Sequence, residues 1–134
     1  MLKYVTVGAN DLARSIAFYD ATLAPLGIVR LKTIEREAGY GPQPGPGAHS
    51  EALFWVLTPF NGQPATFGNG VDIAFEAKGR GAVDAFHAAA LANGGSDEGG
   101  PGLRPHYSPT FYSAYVRDPD GNKINAVFER SLHG

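Results

Sequence analysis

The sequence predicts an α+β fold: two tandem βαβββ modules whose strands form a curved mixed sheet around a ligand cleft, with the helices on the outer face. Three observations predict it. The chain repeats itself at an offset of 68 residues, its strand candidates alternate in polarity beside two helices of 3.6-residue period, and a hairpin turns on Asp118-Pro-Asp-Gly near the end.

The repeat covers 24 positions without a gap. Tyr4-Val-Thr-Val-Gly-Ala lies over Asp72-Ile-Ala-Phe-Glu-Ala, and Ile16-Ala-Phe-Tyr-Asp-Ala-Thr-Leu-Ala lies over Asp84-Ala-Phe-His-Ala-Ala-Ala-Leu-Ala. Seven pairs are identical, where roughly two are expected from ordinary residue usage. Four of these are alanines, so Phe18/Phe86, Leu23/Leu91 and Gly27/Gly95 carry the argument. Two half-size modules are each marginal alone, and a chain of 134 residues is therefore expected to fold as one body, with module 1 at about 1–58, a linker at 59–69 and module 2 at about 70–130.

Composition narrows the function. A formal charge of −2 leaves no basic stripe for nucleic acid and no polybasic patch for a membrane. The absence of cysteine removes disulfides, zinc-thiolate sites and Cys nucleophiles. No apolar run approaches the length of a span, and Met1-Leu-Lys leads directly into a strand, so the expected setting is cytoplasmic.

In module 1, residues 2–7 read as a strand with Val5 and Val7 on one face and Tyr4 and Thr6 on the other. Asn10 or Asp11 caps the helix that follows, whose inner face is Leu12, Ile16, Tyr19, Leu23 and Leu26; Pro25 and Gly27 end it. Residues 28–37 read as one exposed strand, and Tyr40 stands between two glycines. Gly-Pro-Gln-Pro-Gly-Pro-Gly at 41–47 is a surface loop in its plain reading, or a flap over a ligand site with Tyr40 beside it. Residues 51–57 close the module, with Leu53, Trp55 and Leu57 opposed to Phe54 and Val56.

Module 2 opens with Val71, Ile73, Phe75 and Ala77 opposed to Asp72, Ala74 and Glu76, and its helix faces inward through Val83, Phe86, Ala90 and Leu91. His87 reads as a packing or surface residue. The glycine-rich run at 94–105 follows a helix and lacks the lysine of a phosphate cradle. The hairpin strands 111–117 and 123–129 place Ile124, Ala126 and Phe128 against the helices, and Lys123, Asn125, Val127 and Glu129 opposite. These parities put Tyr4, Thr6, Asp72, Ala74, Asn125 and Val127 in the cleft, joined by Tyr112 or Tyr115, by Trp55 or Phe54, and by Tyr40. Aromatic faces with hydroxyl tips favour a ring-containing ligand of modest size.

The strand running into Asp11-Leu-Ala-Arg-Ser-Ile-Ala-Phe-Tyr, together with Tyr115-Val-Arg-Asp-Pro-Asp-Gly-Asn-Lys-Ile-Asn, resembles the vicinal oxygen chelate superfamily of glyoxalases, bleomycin resistance proteins and extradiol dioxygenases. The resemblance spans nearly the whole chain. It implies a divalent metal held by His or Gln from the first strand of each module and Glu from the strand after Asp-Pro-Asp-Gly. Here the matching positions hold Tyr4, Asp72 and Asn125, and the fourth, near 54–56, is apolar. A phenol gives up its proton reluctantly and an amide oxygen is a weak neutral donor, so a bound metal is disfavoured and no cofactor is expected.

Two functions follow. One is a metal-free binding protein for a small molecule. The other is a lyase, isomerase or dioxygenase of the superfamily with altered ligands, or with Asp72 as base, His106 as its titrating partner and Arg104 holding an anionic group. The plain readings are an exposed loop residue for His106 and a polar residue on a wet sheet face for Asp72. The exposed segment 28–41 and the resemblance together lead to the expectation of a homodimer.

Overall fold

The structure, a computed structural model, describes residues 1–130. Module 1 runs β1 (Val5–Gly8), α1 (Leu12–Leu23), a 3-10 turn (Ala24–Leu26), β2 (Ile28–Ile34), β3 (Glu37–Pro42) and β4 (Phe54–Leu57). Module 2 runs β5 (Ile73–Glu76), α2 (Arg80–Ala92), β6 (Ser96–Leu103), β7 (Phe111–Arg117) and β8 (Lys123–Glu129). The first strand and the helix of each module begin 68 residues apart, Val5 with Ile73 and Leu12 with Arg80. This is the α+β fold of two βαβββ units that the repeat predicts.

Local chemistry sets the boundaries. Asp11 caps α1 by accepting from the Arg14 backbone N–H at 3.1 Å. Gly27 ends the 3-10 turn at φ 74°, a left-handed conformation that costs glycine little. Within each module the first strand runs parallel to the last and the remaining pairs are antiparallel, giving the orders β1-β4-β3-β2 and β5-β8-β7-β6.

The eight strands therefore form two four-stranded sheets, where one curved sheet was expected. Each helix covers one face of its own sheet, and the helices also pack on each other. Phe18 and Phe86, an identical pair of the repeat, are both fully buried, and one cluster joins Tyr19, Leu23, Val56, Val83, Val116 and Ile124 across both modules. A ring contact of Phe54 with Phe75, 5.1 Å between centroids, crosses the junction. Sharing one core resolves the marginal size of the halves.

Three expectations need correction. The segment 28–37 is not one strand: it turns at Glu35–Arg36, and β2 and β3 form a hairpin. Tyr40 consequently lies in the middle of β3, fully buried against Tyr19 and Phe54, and donates its hydroxyl to Asp20 at 2.8 Å; it belongs to the core and not to a flap. The glycine-rich run supplies β6, the strand that the βαβββ plan requires after the helix. Leu91 is 43% exposed although its repeat partner Leu23 is buried, because the inner face of α2 ends at Ala90. Among the described residues, no helix is long and apolar enough to cross a membrane.

Candidate functional site

Strand parity assigns every chemistry-bearing residue to a face. On the open face of the first sheet, Thr6 stands beside Trp55 in register, and the Trp55 ring lies over Gly39, where a Cβ would come within 2.8 Å of it. Tyr4, Thr6, Leu31, Trp55 and Leu57 line a hollow of about 550 Å³, with Lys32, Glu37 and Glu51 at its rim. Among the described residues, none of the second module lines it.

The open face of the second sheet is more polar. Asp72 precedes β5, and Ala74 sits opposite Asn125 in register, as does Tyr115 on the other side. With its amide nitrogen turned to Asp72, Asn125 donates at 2.8 and 3.1 Å to the two carboxylate oxygens, and its amide oxygen accepts from the Ser113 hydroxyl at 3.1 Å. The opposite orientation would set two oxygens face to face. The single Ser113 hydroxyl proton is also offered to the Ala126 carbonyl at 2.7 Å, so the two oxygens share one donor and the string ends on the sheet backbone. Asn125 is 2% exposed and Ser113 fully buried. Burial pushes the Asp72 carboxyl above the usual range, against the smaller opposing pull of Lys123 and, with the amide turned this way, that of the Asn125 hydrogen bonds, which favour the charged form. Burial likewise raises the Tyr115 phenol, and the Asp72 charge adds to the rise.

The sign of the Asp72 shift gives a testable slope. A carboxyl raised in the folded state binds more protons there than in the unfolded chain, so stability falls as pH rises through the window above 3.8. Relative to the native protein, Asp72→Asn is expected to gain stability between acid and neutral pH, by less than about 1 kcal/mol because solvent screens a part-exposed group. Urea midpoints for both proteins across that range check it; parallel curves would refute it.

The single cleft expected from the sequence is thus two open faces. Tyr4 and Trp55 lie on the first, and Asp72, Asn125, Tyr115 and Arg104 on the second. Phe54 and Tyr40 are core residues. Tyr112 faces α2, where it donates to Asp84 at 2.6 Å and lies under Arg80, so Tyr115 is the hairpin tyrosine of the open face. His106 sits in an exposed turn with its ring 4.2 Å from that of Tyr107, and no hydrogen bond joins it to Asp72. Sequence reasoning missed Ser113, and put Lys123 on this face without giving it a role. The alternation of β7 and β8 places both on the face of Tyr115 and Asn125, and that parity was the available signal.

A second hollow, of about 430 Å³, lies where β5 meets module 1, between Val5, Leu53 and Phe54 on one side and Asp72, Ile73 and Ala74 on the other. Tyr40 and Phe54 line it beside Asp72, and Tyr4 is not among its walls.

Comparison with known proteins decides the family. Residues 1–126 match the model of the Glyoxalase/Bleomycin resistance protein/Dioxygenase superfamily. The chain belongs to this superfamily. A glyoxalase/bleomycin resistance protein from Albidiferax ferrireducens T118 is 45% identical, with 97% of this chain and 99% of that one covered at a TM-score of 0.81. A glyoxalase-related enzyme from Fulvimarina pelagi (20% identity, 96% and 88% covered, TM-score 0.71) and a lactoylglutathione lyase from Agrobacterium tumefaciens (21%, 96% and 92%, 0.60) share the fold. A comparison with curated proteins found no match.

Superfamily membership raises the question of a metal, and the donor set does not fit one. Asp72 is the sole carboxylate among the three matching positions, and it is already engaged by the Asn125 amide nitrogen. The amide oxygen, the only atom of Asn125 able to ligate, is a weak neutral donor. Tyr4 stands on the other open face. Among the described residues, no three His, Cys, Asp or Glu side chains are grouped to hold an ion.

Proposed function

We propose that this superfamily member is a cytoplasmic, homodimeric protein that binds a small, ring-containing molecule without a transition metal. The observation that carries the reading is the string Asp72, Asn125 and Ser113 beside the Tyr115 ring: fixed hydrogen-bonding groups next to a flat apolar surface orient a planar ligand. The homodimer follows from the two open faces. Each supplies half of a cleft, and β1 and β5 are edge strands flanked by the exposed Leu2, Tyr4, Leu53 and Val71. Setting the first open face of one chain against the second of another brings Tyr4 and Trp55 over Asp72, Asn125 and Tyr115.

One observation favours an enzymatic alternative, in which the same site performs metal-free proton transfer. The raised proton affinity of Asp72 suits a general acid or base. His106 has no part in it.

Titration with phenol, a ring bearing one hydrogen-bonding group, tests the binding reading by NMR. The expected result is shifts concentrated at Ser113, Tyr115 and Asn125 that vanish in Tyr115→Ala, from a protein that sediments as two chains and carries no stoichiometric transition metal on elemental analysis. Shifts confined to other surfaces would overturn it.

A further inference from the structure

The glycine-rich strand β6 has a purpose that its sequence conceals. It is bulged twice against β7, between Asp97 and Gly99 and again between Gly99 and Gly102. Arg104, just past its end, folds back along it. The Nη1 group donates to the Gly102 carbonyl at 2.9 Å and Nη2 to the Gly100 carbonyl at 2.8 Å. A Cβ at Gly99 would stand 3.1 Å from Nη2, and one at Gly102 would stand 3.2 Å from Nη1. The bare strand is a slot in which a guanidinium lies flat.

The slot aims that guanidinium at the candidate site. Its central carbon is 5.5 Å from the centroid of the Tyr115 ring, and the Lys123 ammonium nitrogen is 5.3 Å from the same centroid. Two of the five guanidinium N–H donors are occupied by the carbonyls. The others, and the Lys123 ammonium, have no hydrogen-bonding partner among the described residues. A cation held rigid by backbone carbonyls, with spare donors and a second unpaired cation at the same ring, has lost its rotamer freedom before any ligand arrives.

We propose that Arg104 and Lys123 form an anion subsite around Tyr115, and that the ligand of this open face carries a single carboxylate or a monoanion of similar shape. This rests on the reading of that face as a small-molecule site and names the charge its ligand bears. The two cations at the Tyr115 ring, set against the Asp72 carboxylate that Lys123 also acts on, leave one net positive charge, which matches a monoanion and disfavours a dianion. If Arg104 served only to clip the bulged strand, its loss would lower stability and leave ligand charge irrelevant.

NMR titration of the full chain with benzoate, benzamide and propionate separates these cases. The expected result is that benzoate binds about tenfold more tightly than benzamide, shifting the Arg104 Nε–H signal and the amides of 99–102. Lys123→Met and Arg104→Gln each bring benzoate towards the benzamide level, and Lys123, at the rim, keeps the test valid should Arg104→Gln fail to fold. Equal binding of benzoate and benzamide by the native protein overturns the subsite and leaves ring binding standing. Propionate binding with benzamide silent upholds the subsite and removes the ring. A benzoate preference untouched by Lys123→Met, or silence from all three probes, overturns the subsite.

Discussion

Replacing Asp118 with Ala is expected to cost about 3 kcal/mol of stability, because one buried carboxylate satisfies four donors at once. Asp118 is 4% exposed. It accepts from the Tyr19 hydroxyl at 2.6 Å, from the Asn122 amide nitrogen at 2.8 Å, and from the backbone N–H groups of Asp120 and Asn122 at 2.9 Å. Tyr19 lies in the core of module 1 and Asp118 in the turn of module 2, so the bond fastens one module to the other. Burial and the facing carboxylate hold the Tyr19 phenol far above its ordinary value, which keeps it a donor at any working pH. The same turn sends Asp120 to Ser15 at 3.0 Å and to the Asn10 backbone N–H at 3.0 Å, and Asn122 to the Gly8 carbonyl at 3.0 Å. Alanine at 118 leaves the buried Tyr19 hydroxyl without its acceptor, whereas Tyr19→Phe removes a donor and leaves the carboxylate its other three, for a loss nearer 1 kcal/mol. Urea unfolding measures both. A loss under about 1 kcal/mol for Asp118→Ala would mean that packing alone joins the modules.

Asp118-Pro-Asp-Gly is legible in the sequence as a turn, since Pro, Asp and Gly each suit a turn position. Its docking role is not, because Tyr19 and Ser15 lie about a hundred residues away and nothing local signals them. The same division runs through the fold. The offset of 68 places β1 against β5 and α1 against α2 to the residue, and alternation sorts Tyr4 and Thr6 from Val5, and Asn125 from Ile124. Alternation fails where side chains are absent: β6 has no apolar period, because its glycines make room for Arg104. It fails again at Glu35–Arg36, where the chain reverses without Gly or Pro. Missing that turn put Tyr40 beside a flap when it is a central strand residue.

The candidate site divides in the same way. Parity reads which face a residue takes, and five of the named residues, Tyr4, Trp55, Asp72, Asn125 and Tyr115, stand on open faces as that rule requires. Whether the two faces share one hollow depends on how the modules dock, and docking is decided by long-range contacts of the helices. Tyr19 and Phe86, fully buried in the shared core, are read from the sequence only as inward, and Phe18, buried with them, is absent from the inner face read there.

Gly95→Ala is expected to destabilise the protein by about 3 kcal/mol, and it shows why an identical pair in a repeat need not have one cause. Gly27, its counterpart, sits at φ 74°, and a Cβ there would have nothing within 4 Å, so its constraint is backbone conformation alone. Gly95 has no such angle. A Cβ there would meet a Phe18 ring carbon at 2.7 Å and the carbonyl oxygens of Ala90 and Arg117 at 2.8 Å each. The Ala90 oxygen belongs to the end of α2 and already accepts the Gly95 N–H at 2.9 Å; the Arg117 oxygen belongs to β7; Phe18 is fully buried in α1. Three elements from both modules converge on the missing side chain. No flexible tip is available to yield, so relief requires moving a helix end, a central strand or a core ring, and close-packed interiors resist all three. Thermal unfolding of Gly95→Ala beside Gly27→Ala measures the contrast. Gly27→Ala should cost about 1 kcal/mol, the strain of a left-handed alanine, and relax without disturbing the core. A Gly95→Ala variant as stable as the native protein would mean that α1 and α2 can separate at no cost, and the shared core could not then be what holds the two modules together.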